Sequence, residues 1–324
     1  MKTLQLTAIG NGVVDMQYQI SEELFATLNV PKGEMRLVEP DEQLAIIAKL
    51  HIATPNKCSG GSATNSVDCF AKFGGKAAYL TAVGDDANGK FYYDELEQCG
   101  IKYKPNVIKN ASTGTCLVLI TPDGERTMLT CLAASKEFSE VHLDATLIAD
   151  AEWLYIEGYK FSETAGVECI MKSLEIAENA GTKIAITASD VFIIDIFREQ
   201  FMSALEHCDL LFCNENEANR IANTTDYSDA IVAISKICKN IVMTRGKDGA
   251  TILYDGKRYD IASIAVKAVD TTGAGDMFAG AFFYGLLNEM DIATAGKLAS
   301  KSAAAVVSQL GARYAGDFSK LKEI

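Results

Sequence analysis

The sequence predicts an α/β fold with a doubly wound, mostly parallel sheet, helices on both faces and a small β-sheet lid. From residue 151 onward, short apolar runs alternate with segments of helical spacing, which is typical of βαβ units. The chain has 324 residues, of which 48% are hydrophobic, enough to bury one large core. Two less regular segments, approximately 13–57 and 105–132, are predicted to form the lid. We therefore treat residues 1–324 as a single domain with these lid segments inserted.

Composition excludes several classes of function. A net charge of −13 argues against binding to nucleic acid or to a membrane surface. No apolar run reaches the length of a membrane span. The nine cysteines form no CxxC pair and the three histidines are isolated from them, so we do not expect zinc. The scattered thiols and an N-terminal stretch unlike a signal peptide predict a cytoplasmic protein. The sequence leaves both a monomer and a homodimer open.

The first predicted strand is Leu4–Ile9, an apolar run that ends in a Gly10-Asn11-Gly12 loop. Asp15 follows soon after. A carboxylate just past a central strand is well placed to bind a ligand, although a solvated turn aspartate gives the same pattern. Within the first lid segment, Gln43–Leu50 is a candidate helix.

The second lid segment is predicted to form a β-hairpin. Thr115–Ile120 and Arg126–Cys131 alternate like strands and are joined by a Thr-Pro-Asp-Gly-Glu turn. Arg126 directly follows this turn, where a guanidinium either covers a bound phosphate or is simply solvated.

The stretch Gly60-Gly61-Ser62-Ala63-Thr64-Asn65 precedes a predicted helix. Glycines let the backbone approach a ligand closely, and the Asn65 amide can both donate and accept hydrogen bonds. A plain glycine turn before a helix would look the same. A strand at Ala77–Val83 and a helix at Phe91–Gln98, closed by Gly100, come next.

In the second half of the chain, predicted strands and helices alternate as in βαβ units. The predicted strands and helices are, in order, Trp153–Ile156, Thr164–Asn179, Ile184–Thr187, Ile193–Leu205, Leu210–Cys213, Glu215–Ala222, Ala230–Cys238, Ile241–Thr244 and a C-terminal helix Ala299–Leu310. In such sheets ligands bind at the carboxyl ends of the strands. The residues that follow predicted strands or open loops at this edge are Asp15, Gly60, Asn214, Thr244 and Asp276.

Asn214 and Glu217 lie three residues apart at the start of a predicted helix. Their oxygens can orient waters on Mg²⁺, which keeps much of its hydration shell. The same spacing also fits a capping box, and both interpretations can hold together.

The most informative stretch is Val269–Leu287. We predict a strand end at Val266–Val269, a tight turn from Asp270 through Gly273, Ala274 and Gly275, and then an apolar helix. Main-chain N–H groups at such a turn and the helix N-terminus form an anion site. Asp276, in the first helical turn, suits a base for a hydroxyl that attacks a phosphoryl group, although it also fits a plain N-terminal helix charge. There is no GxxxxGK[ST] Walker loop.

The segment DTTGAGDMFAGAF resembles the C-terminal signature of the PfkB, or ribokinase-like, family of carbohydrate and nucleoside kinases. GGSATNS through GDDANGKFYYDELEQCGI resembles the family's N-terminal signature. Thr244 to Gly249 resembles its TxGxxG nucleotide loop, and Asn214 to Glu217 its NxxE motif.

This resemblance implies a ribokinase-like fold and an ATP- and Mg²⁺-dependent kinase. Asp276 would be the catalytic base, and the main chain at Gly273, Ala274 and Gly275 would form the anion hole. Arg126 would contact the transferring phosphate from the lid. The acceptor would be bound by Asn11, Asp15, Gly60, Gly61 and Asn65, and the nucleotide by Asn214, Thr244, Gly246 and Gly249. Glu217 would act on Mg²⁺ through water, while Asp270 and Thr272 match part of a monovalent-cation site, with K⁺ the candidate ion.

GNGVVD, GGSATNS and TGTCLVLIT look more like the adenosine-kinase branch of the family, so adenosine, converted to AMP, is the first acceptor to consider. One departure concerns Lys160, which follows Tyr159 where that branch has an aromatic pair that stacks on the base. A sugar kinase acting on ribose, fructose or 2-keto-3-deoxygluconate is therefore the alternative. A non-catalytic nucleotide-binding regulatory protein is the alternative from another class, although such a protein does not need Asp276.

Overall fold

The computed structural model describes residues 2–50 and 55–323. Residues 51–54 belong to the predicted lid segment 13–57 and lie outside the described residues. No helix within the described ranges is long and apolar enough to cross a membrane.

The predicted apolar runs, apart from Val266–Val269, form strands, and further strands occur between them. They are β1 Leu4–Ile9, β2 Val13–Gln19, β3 Met35–Leu37, β4 Asn56–Gly60, β5 Ala77–Leu80, β6 Val83–Gly84, β7 Lys102–Tyr103, β8 Val107–Ile108, β9 Gly114–Ile120, β10 Arg126–Cys131, β11 Ala151–Glu157, β12 Lys183–Thr187, β13 Leu210–Asn214, β14 Asn240–Thr244, β15 Ala250–Tyr254 and β16 Lys257–Ile261.

The helices are α1 Glu22–Ala26, α2 Pro40–Leu50, α3 Ser62–Lys72, α4 Ala87–Gln98, α5 Ala145–Ala149, α6 Thr164–Ala180, α7 Val191–Ile196, α8 Arg198–Leu205, α9 Glu215–Ala222, α10 Tyr227–Ile234, α11 Ala274–Leu287, α12 Ile292–Val307 and α13 Phe318–Leu321. Short 3₁₀ helices occur at Ala133–Glu137, Glu140–His142, Gly158–Ser162 and Gly246–Asp248.

The large sheet has the order β16-β15-β14-β13-β12-β11-β1-β5-β7 in the described part of the chain. It is parallel from β7 to β14, and β15 and β16 add an antiparallel edge. Strands such as β1 are almost continuously apolar because helices cover both faces of the sheet. The chain leaves β1 toward β5 on one side and later adds β11 to β14 on the other. The carboxyl ends of β1 and β11 therefore form a topological switch point, where such folds bind ligands.

Hydrophobic side chains are buried in separate clusters on the two faces of the large sheet. The first cluster contains α11 and α12, and α11 is apolar on nearly all sides because it packs between α12 and α3. At Gly280 a Cβ atom would lie 2.2 Å from the Ser66 carbonyl oxygen, so only glycine permits this close packing of α11 against α3. This contact brings the N-terminal ends of α3 and α11 together.

A second sheet has the order β3-β10-β9-β2-β4 among the described residues, and we call it the lid sheet. Its strand β4 continues to Gly60, beyond the predicted limit of the segment at residue 57. One face packs on its own apolar cluster with α1 and α2. The predicted mostly parallel sheet with a small lid sheet is confirmed.

Several predicted boundaries were wrong. Val266–Val269 is not a strand, because the Val269 and Asp270 N–H groups donate to the carbonyl oxygen of Val307 at the end of α12. The helix α3 begins at Ser62, so Asn65 lies inside the helix rather than before it. The predicted helix Ile193–Leu205 is divided at Phe197. The C-terminal helix runs from Ile292 to Val307.

Candidate active site

Two cavities lie on either side of the N-terminus of α11. The first, which we call the interlayer cavity, has a volume of about 330 Å³ and lies between the lid sheet and the carboxyl ends of β1 and β11. The second, the loop cavity, has a volume of about 540 Å³ and lies between the 3₁₀ turn after β14, the segment before α11, and α12. Both fall within the usual range for small-molecule sites.

The turn that opens α11 contributes to both cavities. Gly273 is the N-cap with a φ of 76°, and a Cβ atom there would lie 2.3 Å from the Ala312 carbonyl oxygen. Gly273 and Asp276 line the interlayer cavity, whereas Ala274 and Gly275 line the loop cavity. The first N–H groups of a helix have no intrahelical partner and favour an anion. The predicted anion hole therefore separates the two cavities.

Both carboxylate oxygens of Asp276 accept hydrogen bonds from side chains of α3. Its Oδ1 accepts a hydrogen bond from Ser62 Oγ at 2.6 Å, and its Oδ2 accepts one from Asn65 Nδ2 at 3.0 Å. Burial raises its pKa to about 6, against the lowering effect of these two hydrogen bonds and of the Arg313 charge. The carboxylate is thus oriented, and it is mainly ionised at neutral pH.

Asp15 faces the interlayer cavity from the lid sheet. It lies within β2 and not in a loop after a central strand, which corrects the predicted placement. Burial raises its pKa to about 6, opposed by the charges of Arg313 and Arg126. At Gly60 a Cβ atom would lie 2.2 Å from Asp15 Oδ1. Gly60 itself does not line the cavity, so it makes room for Asp15, whereas Gly61 does line the cavity.

Asn11 lines the interlayer cavity and is fixed by a buried hydrogen-bond network. Its Nδ2 donates to Glu157 Oε1 at 3.0 Å, and its Oδ1 accepts from Ser135 Oγ at 2.8 Å and Lys160 Nζ at 3.3 Å. Burial raises the pKa of Glu157 to about 7, although the N–H groups of Ala63 and Asn11 and the Lys160 charge oppose this shift. Glu157, at the end of β11, is one of four acidic residues that line the cavity, with Asp15, Asp190 and Asp276.

Lys160 does not take the place of a base-stacking ring. Its side chain is buried below the cavity, where Nζ also donates to the Ser135 carbonyl oxygen at 3.0 Å. Tyr159 lines the cavity together with Phe192, with ring centroids 6.0 Å apart. Phe192, at the start of α7, thus provides a second ring in the cavity lining, although Lys160 stands where the adenosine-kinase branch has an aromatic residue.

Arg126 reaches the interlayer cavity from the lid sheet and is buried, so it is not a solvated hairpin arginine. Its Nη1 lies 2.8 Å from Asp270 Oδ2. Its Nε and Nη2 are buried and find no hydrogen-bond partner among the described residues. Unpaired buried donors are costly, so their presence fits a bound anion such as a phosphate.

Asp270 is occupied by contacts within the protein. Besides Arg126, its Oδ2 accepts from the Gly311 N–H at 2.6 Å and its Oδ1 from the Thr272 N–H at 3.0 Å. The monovalent-cation role of Asp270 and Thr272 stays a prediction. Within the described ranges, no group of three or more His, Cys, Asp or Glu residues is arranged to hold a metal ion.

The loop cavity contains the predicted nucleotide loop. Thr244 ends β14, and Gly246 and Gly249 lie in and after the following 3₁₀ turn. Apolar side chains complete the wall, namely Ile264, Val266, Phe278 and Val307. The loop cavity therefore combines an apolar slot with the turn of the predicted anion hole at Gly275.

Asn214 and Glu217 form a capping box. Asn214 Oδ1 accepts from the Glu217 N–H at 2.9 Å, and Glu217 accepts from the Asn214 N–H at 2.8 Å and from Nδ2 at 2.7 Å. Neither residue lines the two cavities. The capping interpretation is confirmed, and the roles of Asn214 toward the nucleotide and of Glu217 toward Mg²⁺ through water stay predictions.

The sequence reasoning missed several residues of this site, namely Ser62, Glu157, Phe192 and Arg313. A signal was present for Glu157, because it ends the buried strand next to β1. No local pattern indicated Arg313, whose partners are far away in the sequence.

A protein-family model described as "pfkB family carbohydrate kinase" matches residues 29–317 of this chain. Adenosine kinase from Saccharomyces cerevisiae is 28% identical, over 96% of this chain and 97% of the yeast protein. Among solved structures, a probable sugar kinase from Rhizobium etli is 30% identical with a TM-score of 0.91, covering 99% of this chain and 98% of that one. Adenosine kinase from Sinorhizobium meliloti is 26% identical with a TM-score of 0.90, and 98% of each chain is covered.

The fold and these matches define a phosphotransferase that acts on an alcohol group. The chain belongs to the pfkB family of carbohydrate kinases, which confirms the resemblance of its two signatures. This family binds ATP, with Mg²⁺, and a nucleoside or sugar.

Proposed function

We propose that this protein transfers the γ-phosphate of ATP to the primary hydroxyl of a nucleoside, with adenosine the first candidate. The observation that carries the proposal is the position of the α11 N-terminus between the two cavities. Asp276 faces the interlayer cavity and Gly275 faces the loop cavity, so an acceptor and a donor would meet across one helical turn.

The acceptor would bind in the interlayer cavity. The carboxylate of Asp15 can accept hydrogen bonds from two neighbouring hydroxyls, and Asn11, Gly61 and Asn65 complete the polar floor. This arrangement would direct the remaining primary hydroxyl toward Asp276. Asp276 would take the hydroxyl proton as the oxygen attacks the phosphorus.

The nucleotide would bind in the loop cavity. Thr244, Gly246 and Gly249 would contact it, and the N–H groups from Gly273 to Asp276 would stabilise the charge on the transferring group. The unpaired donors of Arg126 fit the phosphate oxygens from the lid side. Mg²⁺, when bound, neutralises phosphate charge, and Glu217 would contribute only through water.

A nucleoside fits the cavity better than a free sugar because most of its upper wall is apolar. The lid sheet contributes Met35, Leu37, Val118 and Met128, opposite Tyr159 and Phe192. A sugar would leave this apolar surface uncovered, whereas a purine would bury it and stack on the rings. The relatives carry both names, adenosine kinase and probable sugar kinase, so the free sugar is the alternative acceptor.

The test is ADP release from MgATP with adenosine, inosine, ribose, fructose and 2-keto-3-deoxygluconate in turn. We expect the highest kcat/KM with adenosine. A higher value with any free sugar would make this a sugar kinase. ATP binding with no turnover on any acceptor would favour the non-catalytic regulatory alternative. Repeating the assay in Na⁺ and in K⁺ tests the monovalent-cation role of Asp270.

A further inference from the structure

A buried arginine that the proposed reaction does not use lies directly behind Asp276. Arg313 belongs to the segment after α12, and only 13% of its side chain is exposed. Its Nε donates to Asn65 Oδ1 at 3.0 Å. The other end of that amide, Asn65 Nδ2, donates to Asp276 Oδ2 at 3.0 Å. The three side chains therefore form a chain of hydrogen bonds that ends on the proposed base.

The chemistry of these groups fixes the direction of the Asn65 amide. A guanidinium has only donors and a carboxylate only acceptors, so the amide oxygen must face Arg313 and the amide nitrogen must face Asp276. Without Arg313 only the hydrogen bond to Asp276 would hold the amide in this orientation. Rotation of the amide, which would place its oxygen against the carboxylate, would then be easier. Two acceptors in contact repel each other, and the carboxylate would lose one of its two fixed hydrogen bonds.

We propose that Arg313 is a positioning residue that sets the orientation of the Asn65 amide and, through it, the Asp276 carboxylate. This inference rests on the proposed function, in which Asp276 is the base. It adds a residue that does not touch either substrate and is required for the geometry of the proton transfer.

Arg313 is itself held in place by acids. Its Nη1 lies 3.6 Å from Asp68 Oδ1 and 3.8 Å from Glu95 Oε2. Asp68 is almost fully buried on α3, one turn after Asn65. Asn65 and Asp68 both belong to α3, so this one helix fixes the position of the amide relative to the acid that binds the Arg313 guanidinium.

The positive charge of Arg313 favours the ionised form of Asp276, as does the hydrogen bond that Asn65 donates to that carboxylate. The titratable groups that face Asp276 from the surrounding elements are Asp15 on β2, Tyr155 and Glu157 on β11, Tyr159 after β11, Cys69 on α3 and Arg313. Arg313 is the cation that lowers the pKa of Asp276, against the dominant effect of burial. It thus keeps the base ionised in the presence of neighbouring carboxyl groups.

The experiment compares Arg313→Gln and Arg313→Lys with wild type, and uses Arg258→Gln as the matched control. Arg258 is an exposed arginine on the edge strand β16, paired with Asp260. Turnover of adenosine is measured from pH 5 to pH 9. In parallel, the Asp276 carboxyl is titrated by ¹³C NMR, with its signal identified by its absence in Asp276→Asn.

We expect Arg313→Gln to lower kcat by about 10–100-fold, with a smaller change in the KM of adenosine, since one oriented hydrogen bond to the base is lost. The acidic limb of its rate profile and the Asp276 titration should both move to higher pH. Arg313→Lys should keep the titration near that of wild type while recovering only part of kcat. Arg258→Gln should resemble wild type in both measurements.

Two results would overturn the proposal. One is an Arg313→Gln variant with kcat within twofold of wild type and an unchanged Asp276 titration. The other is equal losses in the Gln and Lys variants with an unchanged titration, which would show a purely structural role. If Arg313→Gln does not fold, Arg313→Gln/Asp68→Asn removes both charges and is judged by the same criteria. If wild type phosphorylates no acceptor, the proposed function fails, whereas the NMR titration still tests the link between Arg313 and Asp276.

Discussion

The substitution Asp276→Asn tests the central assignment. It keeps the shape of the side chain but removes the ability to take a proton. Positioned general bases contribute about 10²–10⁴-fold to rate, so we expect kcat to fall by that factor, or about 3–5 kcal/mol in activation free energy. The acidic limb of the wild-type profile should report the same group. Because the carboxyl must be ionised to act, the rate should rise with pH through about 6, the pKa set by burial of Asp276, and then level off.

The fold should tolerate this change. In the variant the amide oxygen still accepts from Ser62 Oγ, but the new amide nitrogen faces Asn65 Nδ2, also a donor. The lost hydrogen bond costs about 1–3 kcal/mol of unfolding free energy, part of which is regained because a buried charge is removed.

The assay is steady-state ADP release together with calorimetric binding of adenosine. Binding should stay within a few-fold of wild type, because Asp15 and the cavity floor are untouched. Asp291→Asn is the matched control, since Asp291 caps the exposed start of α12 and asparagine caps equally well. A kcat for Asp276→Asn within tenfold of wild type would refute the assignment of the base.

Three further substitutions test the interlayer cavity and the hydrogen-bond network below it. Asp15→Ala should raise the KM of the acceptor by about 100-fold through loss of charge-assisted hydrogen bonds, and an unchanged KM would show that Asp15 does not bind the acceptor. Arg126→Gln should lower kcat by about 10²-fold or more while calorimetric binding of adenosine is retained, and an unaltered kcat would exclude contact with the transferring phosphate. Lys160→Met removes the donor to the Ser135 carbonyl oxygen and should lower the unfolding free energy by about 1–3 kcal/mol. Urea unfolding measures this effect, and an unchanged midpoint would contradict the proposed network.

Much of the site was predictable because it follows from local rules. Apolar runs gave the parallel strands, and residues at the carboxyl ends of such strands must share one edge of the sheet. The turn before α11 was predictable from its glycines and the apolar helix behind it. Asp276 follows from these local rules, whereas Asn65 was assigned to the site through the resemblance of its segment to the family's N-terminal signature.

The rest depended on contacts that no local pattern encodes. The apolar character of Val266 predicts a strand residue, whereas in the structure Val266 lines the loop cavity. The 3₁₀ turn Gly158–Ser162 determines that Tyr159, and not Lys160, lines the interlayer cavity, because it directs successive side chains differently from a strand. Phe192 and Arg313 come from segments whose relation to the site is set only by the tertiary packing of α7 and of the chain after α12.

The connections between the two sheets have a mechanical consequence. Only residues 10–12 separate β1 in the large sheet from β2 in the lid sheet, and only Gly61 separates β4 from α3. Any swing of the lid sheet must be absorbed at its four connections to the rest of the chain, namely these two, residues 109–113 before β9 and Leu132 after β10. The first of them contains Asn11, and Gly61 opens the helix that carries Asn65. Opening the lid would carry Asp15 on β2 away from Asp276 on α11, so that in the proposed reaction the release of product and the loss of the reactive geometry would be a single motion.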